Sequence, residues 1–89
     1  MISASDKDTI VRIARKYKVR RVMLFGSSQQ GSETARDIDI AVDGVDAPIF
    51  FDFYRDLILC LSKPVDVIDL SDNTRFARLV EAKGTLIYG

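Results

Sequence analysis

Apolar positions mark out the structural elements before any chemistry is considered. Ile10, Ile13, Ala14 and Tyr17 recur at i, i+3, i+4 and i+7, one stripe of an amphipathic helix. The spacing predicts a helix from Ser5 to Tyr17, with Ser5 as N-cap and Asp6 and Asp8 at the positive end of its dipole. Val19 to Phe25 reads as a strand, and its unbroken run Val22-Met23-Leu24-Phe25 predicts cover on both faces. Gly26 ends that run. The small, polar stretch from Gly26 to Arg36 reads as a turn with a short helix. Asp37 to Val42 then alternates, with Ile38, Ile40 and Val42 on one face and Asp37, Asp39 and Ala41 on the other.

Asp43-Gly44 signals a turn, and Pro48 suits the first turn of a second helix capped at Asp46 or Ala47. Phe50, Phe53, Tyr54, Leu57, Ile58 and Leu61 give that helix a broad apolar face. Val65 to Leu70 is a further strand. A last helix capped at Ser71 or Asp72 runs through Phe76, Leu79 and Val80 and stops at Gly84 in the C′ position. Thr85 to Tyr88 closes the chain as a strand. The order predicts an α/β or α+β fold, a small mixed β-sheet covered by helices, with residues 1–89 as a single domain.

Composition narrows the chemistry. A chain of 89 residues has room for one core. No apolar run approaches the roughly 20 residues that span a bilayer, and no cationic start followed by an apolar stretch suggests secretion. Cys60 is the only cysteine, so an intrachain disulfide or thiolate zinc site is excluded and a reducing, cytoplasmic setting is expected. There is no histidine, so a catalytic base must be Asp, Glu, Lys or Tyr. A metal would be held by carboxylates, which favours a hard ion such as Mg²⁺. Lys and Arg total 13 against 13 Asp and Glu, which gives no steering field for nucleic acid.

Three features carry candidate chemistry. Phe25-Gly26-Ser27-Ser28 runs a strand into a Gly-Ser turn, where backbone N–H groups and a hydroxyl can approach a phosphate; taken alone, the alternative is a plain turn. Asp37 and Asp39 lie two apart on one strand face, their roots roughly 6–7 Å apart. Two such carboxylates repel unless a cation lies between them; the alternative is a solvated sheet face. Asp66 sits inside a strand sequence and reads either as a site residue or as an exposed edge residue. Asp69, near the strand end, reads as a capping or surface residue. Together these features fit metal-assisted phosphoryl or nucleotidyl transfer, which needs several carboxylates to balance divalent ions and a polyphosphate.

The stretches LFGSSQQGSETARDIDIAVDG and KPVDVIDL resemble the minimal nucleotidyltransferases of the DNA polymerase β superfamily. The resemblance covers nearly the whole chain. It implies a polymerase β-like fold, with Gly26 and Ser27 on the nucleotide-binding motif and Asp37, Asp39 and Asp66 as the catalytic metal ligands. It further implies Mg²⁺, as two ions, and ATP or another nucleoside triphosphate as substrate. The implied partner is a HEPN-domain toxin, which such antitoxins modify by moving AMP onto a tyrosine. Arg36 stands where the family usually places a serine, Gln29 where a small residue is common, and the intervening segment is one residue shorter. Lacking a second domain, the chain must receive its acceptor from a partner or from another subunit of a homo-oligomer. A non-catalytic antitoxin acting by contact and an antibiotic-type transferase completed by a partner are the other readings.

Overall fold

Strand parity divides the apolar residues between the two faces of one sheet. The computed structural model describes residues 2–26, 37–72 and 74–89. Helix α1 (Ala4–Lys16) leads into β1 (Arg21–Leu24), followed by β2 (Ile38–Asp43) and helix α2 (Ala47–Cys60). Then come β3 (Val65–Asp69), a 3-10 turn (Leu70–Asp72), helix α3 (Arg75–Lys83) and β4 (Thr85–Tyr88). The strands form one mixed sheet in the order β3-β2-β1-β4. β1 pairs antiparallel with β2 and β4, while β2 and β3 run parallel. The expected mixed sheet covered by helices is the observed architecture. Among the described residues no helix is long and apolar enough to cross a membrane.

Val22 and Leu24 of β1 and Ile38, Ile40 and Val42 of β2 face one way, against Ile10, Ile13 and Ala14 of α1 and Phe53 and Leu57 of α2. Phe53 and Leu57 are fully buried, each worth about 1.5–3 kcal/mol relative to exposure. Met23 and Ala41 face the other way, under Leu70, Ala77 and Val80. The continuous apolar run of β1 is therefore explained by helices on both sides.

The termini of the helices differ from the sequence reading, for local reasons. Ser3, not Ser5, caps α1, its hydroxyl accepting the Asp6 N–H at 3.1 Å. At the other end the Lys18 N–H donates to Arg15 O at 3.2 Å and the Val19 N–H to Ala14 O at 2.9 Å, with Lys18 at φ 57°. This paired closure is a Schellman motif. It draws Val19 into the core, so β1 begins at Arg21 and not at Val19. Thr74, not Ser71 or Asp72, caps α3 by accepting the Ala77 N–H at 3.0 Å. Ser71 is instead held by Asp69, whose carboxylate accepts its N–H at 2.9 Å and its hydroxyl at 2.6 Å.

One helix face is rotated from expectation, and a second is narrower. In α3 the buried residues are Ala77 and Val80, while Phe76 and Leu79 are half-exposed. In α2 the expected apolar face holds at Phe53 and Leu57, while Ile58 is exposed. Gly84 is the C-cap of α3 in an extended conformation, φ −72°, so no left-handed turn requires the glycine. Close approach does: a Cβ there would lie 2.7 Å from Val80 O and 2.8 Å from Leu24 O. Asp6 ties the start of α1 to the turn after α2, since its buried carboxylate accepts the Ser62 N–H at 3.1 Å and the Ser62 hydroxyl.

Candidate active site

The parallel pairing of β2 with β3 sets the position of the acids. Ile38 is in register with Val65, and the Ile38 N–H donates to Pro64 O at 2.8 Å. Both side chains of that pair enter the core. The next pair, Asp39 with Asp66, must then point to the opposite face. Two residues further along that face, Ala41 is fully buried under the α3 layer. Asp39 is half-buried, and Asp37 and Asp66 are exposed. The acids therefore lie where the cover of that face gives out, open to solvent on one side.

Gly26 reaches the same place from β1. The Phe25 N–H donates to Asp39 O at 3.1 Å, which carries the β1–β2 pairing past the end of the strand. The Phe25 ring meets Phe76 of α3 edge-on, with centroids 5.6 Å apart. Gly26 follows at φ 65°, and a Cβ on it would lie 2.7 Å from Asp39 Oδ2. Glycine is needed twice here, for the left-handed backbone and for the close approach. The structure thus brings together Gly26, Asp37, Asp39 and Asp66. Ser27, like Gln29, Arg36 and the expected short helix, lies outside the described residues.

The electrostatics follow from this crowding. Burial pushes the Asp39 carboxyl above its ordinary value, and the charges of Asp66 and Asp37 raise it further. Asp39 thus carries the effect of nearby like charge on a partly buried acid. Among the described residues no three acids close into a preassembled metal cage. The donor set still suits a hard cation: it is all carboxylate oxygen, on one face, and destabilised by its own negative charge.

A second charged cluster escaped the sequence reading. On the opposite side of the sheet, where α1 meets α2, Asp56 accepts hydrogen bonds from the Tyr17 hydroxyl at 2.7 Å and from Lys16 Nζ at 3.0 Å. Those donors, with Arg55, hold its carboxyl down to about 2. It locks two helices together and faces away from Asp39. Residues 40 positions apart in the chain carry no local signal of such a pairing.

A family model described as polymerase beta, nucleotidyltransferase, matches residues 8–89. No curated protein sequence matches the chain. Among solved structures, a chain of a toxin–antitoxin complex with AMP-PNP is similar at 28% identity and TM-score 0.76, over 93% of this chain and 73% of that one. A chain of a mutant MntA toxin–antitoxin complex is similar at 26% identity and TM-score 0.77, over 100% of this chain and 74% of that one. A third match is to a complex of tri-AMPylated Shewanella oneidensis HEPN toxin with MNT antitoxin, at 26% identity and TM-score 0.72, over 94% of this chain and 70% of that one.

Proposed function

Since the chain belongs to the polymerase beta nucleotidyltransferase family, we propose that it moves AMP from ATP onto a tyrosine hydroxyl of a HEPN-type toxin and so acts as its antitoxin. The observation that carries the reading is the register of Asp39 with Asp66, with Gly26 lying against Asp39. Support for the partner comes from the similar complex in which an MNT antitoxin accompanies an AMPylated HEPN toxin. Support for the nucleotide comes from the similar complex with AMP-PNP.

In the proposed reaction the acceptor oxygen attacks the α-phosphorus of ATP in line. The bond from that phosphorus to the bridging oxygen breaks, and pyrophosphate leaves with the electron pair. Asp66, the most exposed of the paired acids, takes the acceptor proton and passes it to solvent. Gly26 leaves room for the polyphosphate to come down beside Asp39. Asp37, Asp39 and Asp66 would hold Mg²⁺, which when bound supplies charge neutralisation and Lewis-acid stabilisation of the phosphoryl oxygens.

The test is direct. The protein is mixed with its HEPN partner, ATP and Mg²⁺, and both chains are weighed by mass spectrometry. A gain of one or more AMP units on the partner, located to a tyrosine by fragmentation, is expected. An unmodified partner that is nevertheless inhibited would overturn catalysis in favour of neutralisation by contact.

A further inference from the structure

The outer edge of β3 lies at the bottom of a groove of about 510 Å³ between the first turns of α2 and α3. Phe50 and Phe51 form one wall, Phe76 forms the other, and Val67, Ile68 and Asp69 form the floor. β3 is an edge strand of the sheet. Because the Ile38 N–H donates to Pro64 O and Ile38 pairs with Val65, the backbone groups of Pro64, Asp66 and Ile68 face β2. Those of Val65, Val67 and Asp69 turn outward by alternation. Val65 C=O is already taken by the Tyr54 hydroxyl at 3.1 Å. The N–H and C=O of Val67 and the N–H of Asp69 are thus aimed into the groove.

We infer that this groove receives an extended segment of the protein that carries the acceptor hydroxyl, added to the sheet as a fifth strand beside β3; the inference rests on the transferase reading above. Three observations favour that occupant. The floor offers strand-type hydrogen bonds, which an extended backbone satisfies and a helix does not. The side chains of an added strand alternate between the two walls, and both walls are apolar. Asp69 is the one charged lining residue, and Asp66 and Asp39 add negative charge nearby on the α3 side of the same strand pair. The segment that fits is therefore apolar with basic residues.

A second copy of this chain fits poorly, because two edges that are each recessed between walls cannot meet. Phe51, 78% exposed at the rim, would collide first. The groove also adjoins the carboxylates. Asp66 precedes Val67, and side chains of the added strand that turn toward α3 lie on the same side of the sheet as Asp66 and Asp39. The edge strand thus acts as a rail that delivers a hydroxyl to the acids.

Amide hydrogen exchange on the full chain, alone and with its intact HEPN partner, tests the groove separately from the chemistry. Exchange at Val67 and Asp69 should slow at least tenfold on addition of the partner. Val67→Pro, tolerated on an outward-facing edge position, should weaken partner binding by calorimetry at least tenfold. Phe51→Glu, at an exposed position that does not threaten folding, should do the same, while Leu59→Ser, exposed outside the groove, should not. Label transfer from ATP with no protection at Val67 and Asp69 overturns the groove alone. Protection without label transfer overturns the catalytic reading alone. Protection that appears in the isolated chain on raising its concentration assigns the edge to self-association and also overturns the proposal.

Discussion

Asp39 and Asp66 are register partners across the parallel β2–β3 pair, and both point away from the core that Ile38 and Val65 fill. Like charges directly opposite on a sheet destabilise it. The sheet tolerates them at its uncovered end, and the cost has a measurable sign.

Asp39→Asn should make the metal-free protein more stable and catalytically dead. Burial, then Asp66 and Asp37, raise the Asp39 carboxyl above its ordinary value of 3.8. An acid raised on folding contributes stability that is fully present below the unfolded value and is lost as pH rises through the folded one. At neutral pH the ionised group is therefore a liability that asparagine removes. Thermal melts in EDTA at pH 7 should place the variant above wild type, with the gap closing on acidification toward pH 3. Transfer to the partner should fall at least about a hundredfold, on the order of 3 kcal/mol. Equal melting temperatures would show that the acids do not feel one another.

Gly26→Ala should impair the site through geometry alone. The left-handed φ of 65° costs a side-chain-bearing residue about 1 kcal/mol. The added Cβ would also press on Asp39 Oδ2, 2.7 Å away. Calorimetric titration with ATP and Mg²⁺ should show affinity down about tenfold, with the helical circular dichroism unchanged. Wild-type affinity would mean that nucleotide does not approach Gly26.

Asp6→Ala should destabilise without touching catalysis. It removes the acceptor for the N–H and hydroxyl of the exposed Ser62 and so unties the start of α1 from the turn after α2. Water can take over the freed groups, so the loss is about 1 kcal/mol per hydrogen bond. Urea unfolding should register the loss, while the rate of label transfer per folded molecule stays at the wild-type value.

Acid should weaken the α1–α2 lock at a defined point. Hydrogen bonds from Tyr17 and then Lys16 lower Asp56 from 3.8 to about 2. An acid lowered on folding contributes stability that is present above the unfolded value and is lost as pH falls through the folded one. The stability difference between wild type and Asp56→Asn should therefore persist from pH 7 to pH 4 and shrink between pH 4 and pH 2. A difference that is constant across that range would exclude the carboxylate as its source.

Lys18→Gly should stabilise the protein. Lys18 occupies the left-handed C′ position of the α1 closure at φ 57°, where glycine carries no steric penalty. After allowing for the greater freedom of glycine in the unfolded chain, a gain of about 0.5–1 kcal/mol is expected from urea midpoints. A loss would mean that the lysine side chain contributes more to the fold than its backbone strain takes away.

Much of the sheet was legible because parity is written locally. Ile38, Ile40 and Val42 alternate with Asp37, Asp39 and Ala41, so one reading fixed both the core face and the acidic face of β2. Asp66 was ambiguous for a physical reason: its strand is an edge, and only the register with β2 decides which neighbours it meets. Helix caps were misplaced where hydroxyls compete within a few residues, Ser3 with Ser5 and Thr74 with Ser71. Local preference is nearly equal there, and packing of Ala77 and Val80 against the sheet makes the choice. The groove on β3 and the Asp56 lock were invisible because each joins segments distant in sequence.

The strict alternation along β2 also has a bearing on errors in folding. A slip of one residue between β2 and its neighbours would drive Asp37 and Asp39 toward Phe53 and Leu57 and turn Ile38, Ile40 and Val42 to water. No compact molecule survives that exchange. A well-folded copy with its acids wrongly aimed is therefore not an available state, and ordinary quality control against unfolded chains doubles as inspection of the acidic face. The same coupling sets a limit for engineering: the carboxylates cannot be moved along this strand by a single position, only by two.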